Sequence, residues 1–389
     1  MTASAVYRVP AALATSTSPF KLAASTSPFK IVDYALKNAQ LKTLCLACGL
    51  PTSGTKDILT SRLEEAVLVA RRPKGRPTAR RILSIDMGLR NLAYSLIVPG
   101  GPLLSAPSIP SLKEKHFTSS KAFRRPPRVL LEAWRRSDVA SEATKQVVER
   151  EQWAPAALAN LALELVRDRL LPTNPTHVVI ERQRFRSGGS SAVQEWTLRV
   201  NTLEAMIHAT FRTLKEMGHW SGEVISVAPG RVGPFWVGAA GEVDAGTEEV
   251  QSPLELESEF LERTAQQVDI KNKRRAAKTR NKKAKIDLVG NWLQLEGILN
   301  PTPEHLEVTR TMKLYGDRWL GVRRKKGADK LLEAEEESRK LDDLADCLLQ
   351  GMAFIKWEEN KILLAREGPN AILEQTQDAF RTVMHYDGR

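Results

Sequence analysis

Apolar positions along the chain repeat with two different periods. ILSID, Ile82 to Asp86, is a strand-like run that closes on an aspartate. After a turn at Met87-Gly88, apolar residues resume at Leu92, Tyr94 and Leu96, and a returning strand is predicted over Ala93–Val98. Two further strands are predicted over Val178–Glu181 and Val224–Ala228, with a short candidate at His116–Thr118. Helical spacing marks Ala156–Arg169, Ala192–Met217, Ile286–Leu295 and Asp342–Lys356. Strands interleaved with helices predict a mixed α/β domain from residue 82 to 389. The segment between Leu104 and Arg150, with Arg124, Arg125, Arg128, Arg135 and Arg136, follows neither period.

Upstream lies a smaller helical unit over 31–69. Leu41, Leu44, Cys45 and Cys48 share one helical face, Gly49 and Pro51 stop that helix, and Thr55 suits the start of a second helix bearing Ile58, Leu59, Leu63 and Ala66. Cys45 and Cys48 form a CxxC, yet both lie on the apolar stripe and no second Cys or His pair is near, which predicts core cysteines rather than half a zinc site. The unit resembles the SAP motif, a small DNA-binding module, in Leu41, Leu44, the GLPTSGTK turn, Leu59, Arg62 and Leu63. That resemblance implies that Lys56, Arg62 and the turn amides around Gly54 face phosphates. Residues 70–81, rich in proline, glycine and arginine, read as a basic linker.

Composition adds a partner and a compartment. The formal net charge of +12 argues for a polyanion, nucleic acid or an anionic surface. No apolar run is long enough to span a bilayer, so no membrane partner is expected. Three cysteines favour a reducing compartment over secretion. Residues 1–30 read as a transit peptide or disordered leader: no acid occurs from Met1 to Val32, and STSPFK recurs at 16–21 and 25–30. Mitochondrial targeting is the expectation, with the nucleus as alternative. Two charged insertions interrupt the α/β pattern, an acidic one at 241–262 and a basic one at 271–285. The basic run fits a solvated surface, a nuclear address or, the favoured reading, DNA phosphates.

Carboxylates stand at three places where local structure does not ask for them. Asp86 follows ILSI, Glu181 follows HVVI, and Asp343 and Asp346 share a face of the LDDLADCLLQG helix. Singly, each fits a turn, an arginine partner or a helix cap. Together they suit Mg²⁺, which takes hard oxygen ligands. Two such ions about 3.5–4 Å apart clamp the attacking water and the leaving oxygen of a phosphodiester.

ILSIDMGLRNLAYSLI, VVIERQRFR and LDDLADCLLQG resemble the three acidic motifs of the ribonuclease H-like superfamily in its RuvC-type form. The resemblance is strongest to the fungal mitochondrial Holliday-junction resolvases, favoured by IERQR and by the SAP-like module. It implies a ribonuclease H-like mixed sheet flanked by helices, with Asp86, Glu181, Asp343 and Asp346 as catalytic, metal-binding residues. Asp342 replaces Asp343 if the register is one residue off. Asp86 would anchor both Mg²⁺ ions, Glu181 and Asp343 one each, and Asp346 would complete a site or orient the water. Mn²⁺ is a possible substitute. The implied reaction is paired hydrolysis of a four-way DNA junction, leaving 5′-phosphates and 3′-hydroxyls. Other branched DNA, hybrids, or binding without catalysis remain alternatives.

Paired cuts imply a homodimer. Val193, Trp196, Val200, Leu203, Ile207 and Leu214 recur at helical spacing and suit either a dimer seam or packing on the chain's own sheet. Arg182, Arg184 and Arg186 suit phosphates near the cut. Phe185 suits either stacking on an unpaired base or the core.

Overall fold

A computed structural model describes residues 30–71, 80–100, 128–139, 153–183, 194–228, 230–238, 279–295, 297–322 and 341–374. Two N-terminal helices, α1 (Asn38–Ala47) and α2 (Lys56–Arg71), precede β1 (Ile82–Asp86), β2 (Leu92–Pro99) and β3 (Val129–Ser137). Then come α3 (Pro155–Glu164), β4 (His177–Glu181), α4 (Glu195–Glu216), β5 (Glu223–Val227), α5 (Val232–Val237) and α6 (279–294). The chain continues through β6 (Leu299–Pro301), α7 (Leu306–Trp319) and the long α8 (Leu341–Glu367). Residues 1–29 of the leader, His116–Thr118, the acidic insertion, Val193, Arg184, Phe185 and Arg186 lie outside the described residues.

The six strands form one sheet in the order β5-β4-β1-β2-β3-β6. β1, β2 and β3 pair antiparallel, while β4 lies parallel to β1 and β5 parallel to β4. This mixed sheet with helices on both faces agrees with the predicted fold class. β1 and β2 are buried almost throughout, which explains why they read as continuous apolar runs rather than alternating ones. Leu83, Ile85, Tyr94, Val178 and Ile180 pack in one core with Leu158, Leu203 and Phe211 of α3 and α4. Ile82, Ala93, Ile97 and Val179 pack in the other with α8.

β3 escaped the period because it is bulged. Leu96 faces Ala133 and Ile97 faces Leu131, so Glu132 has no partner across the ladder. Inward positions therefore run Val129, Leu131, then Trp134, breaking the alternation by one residue. Glu132 turns to Arg81, whose guanidinium lies 3.0 Å from Oε1 and also donates to the Thr173 carbonyl.

α8 organises one face. A Cβ at Gly351 would meet Ile97 Cδ1 at 2.6 Å and Ser84 Cβ at 3.0 Å, so only glycine lets this helix lie so close to β1 and β2. Three sheet-side or neighbouring donors reach its carbonyls: Trp134 Nε1 to Leu344 at 3.0 Å, Ser95 Oγ to Cys347 at 3.2 Å and Trp236 Nε1 to Leu349 at 2.9 Å.

The N-terminal helices share this second core. Leu41, Leu44, Cys45, Leu59, Leu63 and Val67 pack in the same cluster as Trp357 and Leu364 of α8. Gly49, at φ +68, ends α1 with its Cα against the Trp357 ring, and Asn360 Nδ2 donates to the Ala47 carbonyl at 2.7 Å. Cys45 and Cys48 are buried, as the apolar stripe predicts. Burial raises their thiols to about 11 and about 12, with no reactive thiolate near neutral pH.

Val200, Leu203 and Ile207 are buried in the core beneath α4, so these members of the possible seam pack on the chain's own sheet. Trp196 stays exposed, edge-on to Trp153. No described helix is long and apolar enough to cross a membrane.

Candidate active site

Asp86 and Glu181 end neighbouring parallel strands. Ile85 lies opposite Ile180 in the ladder, so the next residues, Asp86 and Glu181, leave the sheet side by side at its same edge. Backbone bonds beyond the strand hold this exit: Arg182 N donates to the Val227 carbonyl at 2.9 Å, and Gln183 N to Glu204 Oε2 at 2.9 Å.

The first turns of α8 bring Asp343 and Asp346 to the same edge. Gln350, one turn further along, is buried and its Nε2 donates to the carbonyls of Ile85 at 3.2 Å and Val179 at 3.0 Å. One amide thus ties the helix carrying two of the acids to the strands carrying the other two.

The four carboxylates sense one another. Desolvation raises Asp86 well above the ordinary carboxylate range, and the charges of Asp346, Glu181 and Asp343 push it further, opposed by Lys285. Burial also raises Asp346, against the pull of Lys285. Asp342 lies apart from Asp343 in its partner: it pairs with Lys282 at 2.5 Å, whereas Asp343 pairs with Arg136 at 2.9 Å.

Three neighbours of the acids were missed in the sequence. Lys285 Nζ stands 2.6 Å from Asp346 Oδ1. Burial would lower this lysine, but the charges of Asp346, Glu181 and Asp86 outweigh it and raise it. Arg136 joins Asp343 to the Asn91 side chain and the Arg90 carbonyl. Gln350 is the third. Lys285 belongs to the basic run, so this end of that run faces the acids instead of open solvent. All of these pairings are distant in sequence, and no local pattern announces them.

The predicted DNA contacts are spread out. Arg182 follows Glu181 directly. Arg62 turns back on its own module, donating to the carbonyls of Pro51 at 2.5 Å and Ser53 at 2.9 Å, which secures the turn between α1 and α2. Lys56 begins α2 beside that turn and is exposed. Arg231, between β5 and α5, donates to the Gly49 carbonyl at 2.9 Å. Burial lowers it, as do the nearby charges of Arg182 and Arg62.

Among the described residues, no three His, Cys, Asp or Glu side chains stand at chelating separation. Lys285 pairs with Asp346 and Arg136 with Asp343. The donor set nevertheless fits a hard divalent ion: it is all carboxylate oxygen, from three elements, around a place where a cationic group already stands.

Residues 82–364 match the family described as mitochondrial resolvase Ydc2 / RNA splicing MRS1. The chain belongs to that family. The matched span of the Ydc2/MRS1 family holds all four acids, Lys285, Arg136 and Gln350, while α1 and α2 precede it. A mitochondrial cruciform cutting endonuclease 1 from Schizosaccharomyces pombe is 28% identical over 174 residues, which cover 45% of this chain and 55% of that protein. The chain thus aligns with just over half the length of that relative. The crystal structure of the yeast mitochondrial Holliday junction resolvase Ydc2 aligns with a TM-score of 0.49 and 19% identity, over 85% of this chain and 98% of the other. A Thermus thermophilus RuvC structure aligns with a TM-score of 0.24 and 14% identity, over 41% of this chain and 69% of the other.

Proposed function

We propose that the protein is a divalent-metal-dependent endonuclease that resolves four-way DNA junctions. The observation that carries this reading is the meeting of Asp86, Glu181, Asp343 and Asp346 at one sheet edge, in a family whose description names a resolvase. Asp86, Glu181, Asp343 and Asp346 would hold Mg²⁺, with Asp343 preferred to Asp342 because its charge is felt at Asp86. Bound there, the ions supply Lewis acidity, lowering the pKa of an attacking water and countering charge on the phosphate. Asp86 and Glu181 set the edge against which the phosphodiester lies, and Gln350 holds Asp346 and Asp343 opposite them. Arg182, Arg231, Arg62 and Lys56 offer phosphate contacts leading away from the cut.

Two opposed cuts need two active sites, so the working unit is a homodimer. Mitochondrial localisation belongs to the same proposal, supported by the acid-free leader and by the name of the S. pombe relative. The family description also names RNA splicing, which the notion of a shared fold with a different nucleic acid accommodates. The presence of all four acids favours the nuclease.

The deciding experiment offers the purified chain a four-way DNA junction, a plain duplex, an RNA–DNA hybrid and a structured RNA, each with Mg²⁺. Paired nicks in the junction alone, bearing 5′-phosphates and 3′-hydroxyls, are expected. Cleavage of the hybrid in preference to the junction, or RNA binding with no cleavage of any substrate, sinks the reading.

A further inference from the structure

Lys285 is not a lysine on a free surface. The residues after it are tied to α7: Tyr315 Oη donates to the Ile286 carbonyl at 3.1 Å, and Trp319 Nε1 to Asp287 Oδ1 at 3.0 Å. One turn on, Trp292 is buried edge-on against Trp236, with ring centroids 5.0 Å apart. α6 is therefore anchored, and it delivers the Lys285 ammonium to one place, 2.6 Å from Asp346 Oδ1 and within the field of Glu181 and Asp86. Lys282, one turn earlier, makes a parallel contact with Asp342.

We propose that Lys285 is the resident counter-ion of the acid cluster, and that a divalent ion binding at Asp346 displaces its ammonium. The proposal rests on the metal-dependent reading given above. Four carboxylates gathered at one edge need positive charge among them. Among the described residues Arg136 and Lys285 contribute it, and they differ in kind. Arg136 is a planar fork engaged at once by Asp343, Asn91 and the Arg90 carbonyl. Lys285 is a compact charge on a flexible stem, paired with Asp346 at 2.6 Å, and can leave by rotating its side chain. A divalent ion carries twice the charge and is shared by several carboxylates, so it wins the exchange. Its affinity is nonetheless reduced by the ion pair it must break. Lys285 thereby sets the metal concentration at which the site fills, while keeping the acids together in its absence.

The test follows Ca²⁺ binding by thermal unfolding of the full chain, a readout independent of cleavage. Lys285→Met should unfold at lower temperature than wild type in EDTA. It should also half-saturate at a Ca²⁺ concentration lower by roughly tenfold, the scale of removing a unit charge a few ångströms from the ion. Lys285→Arg, which keeps the charge, should bind Ca²⁺ no more tightly than wild type. Equal or weaker Ca²⁺ binding by Lys285→Met overturns the proposal. A second measurement uses the wild type alone, should the methionine variant fail to fold. Amine-reactive labelling mapped by mass spectrometry should rise at Lys285 on adding Ca²⁺ and stay constant at Lys282. Unchanged labelling at Lys285 also overturns it. Wild type without any response to Ca²⁺ in either readout overturns the metal reading as well. A wild-type response with an unaltered variant removes the counter-ion alone.

Discussion

The two ends of α8 solve opposite problems. Its C-terminal half carries Trp357, Asn360 and Leu364 into the shared core with α1 and α2, where apolar surface is buried and the one amide is hydrogen-bonded. Its first turns carry Asp342, Asp343 and Asp346 to the sheet edge, where like charges face one another and are held by two lysines and an arginine. One end is built for stability. The other stores electrostatic repulsion that a ligand of the right charge relieves. A candidate site can therefore be picked out within a single helix by where its interactions stop being mutually favourable.

Neutralising one acid separates the two ends most sharply. Asp86→Asn should lower junction cleavage by at least about a hundredfold, since losing a ligand costs no less than losing a residue that supports one. The same change should raise the unfolding temperature in EDTA, because it removes the charge that burial and three neighbouring acids oppose. Cleavage assays and thermal melts on one preparation check both signs, and retained cleavage would break the comparison. At the other end, Trp357→Ala should cost about 3–5 kcal/mol of stability, read from urea midpoints, while the folded fraction keeps its metal affinity. A loss of metal affinity there would show that the two ends are coupled.

Gln350→Leu sits between them. Without its donations to Ile85 and Val179, α8 loses its tie to β1 and β4, and Ca²⁺ affinity should weaken about tenfold. A stability loss with unchanged affinity would make Gln350 a packing residue only.

The pH dependence sharpens the same point. Asp86 and Asp346 are raised in the fold, so between the ordinary carboxylate range and their native values the folded chain binds more protons than the unfolded one. Their contribution to stability therefore falls as pH rises through that window. In EDTA the wild-type urea midpoint at pH 5, relative to pH 7.5, should exceed the corresponding figure for Asp86→Asn. Arg62→Ala should have the smallest effect, about 1 kcal/mol from two lost turn contacts and a shallower salt dependence of DNA binding.

What could be read from the sequence was what local pattern encodes. β1 and β4 were legible because each is a short apolar run closed by an acid, and α8 because its apolar stripe is unbroken from Leu344 to Met352. β3 was not, since the extra residue at Glu132 shifts the inward set and places Arg135 and Arg136 where a strand face was sought. The acids were legible as residues that the local structure did not require. Their cationic partners were not: Lys285 looked like one more member of a basic run, and only tertiary packing distinguishes it from Lys282 or Lys283. The cysteine pair was legible from its stripe, and the burial of both thiols agrees.

The cluster that unites Leu44, Leu63 and Trp357 has a practical corollary. A protease cutting once between Arg71 and Arg80 would yield two fragments that elute together, because the apolar side chains of α1 and α2 share one cluster with Trp357 and Leu364. Produced alone, residues 31–71 would aggregate, and adding them to the remainder in trans would restore a soluble, monodisperse species.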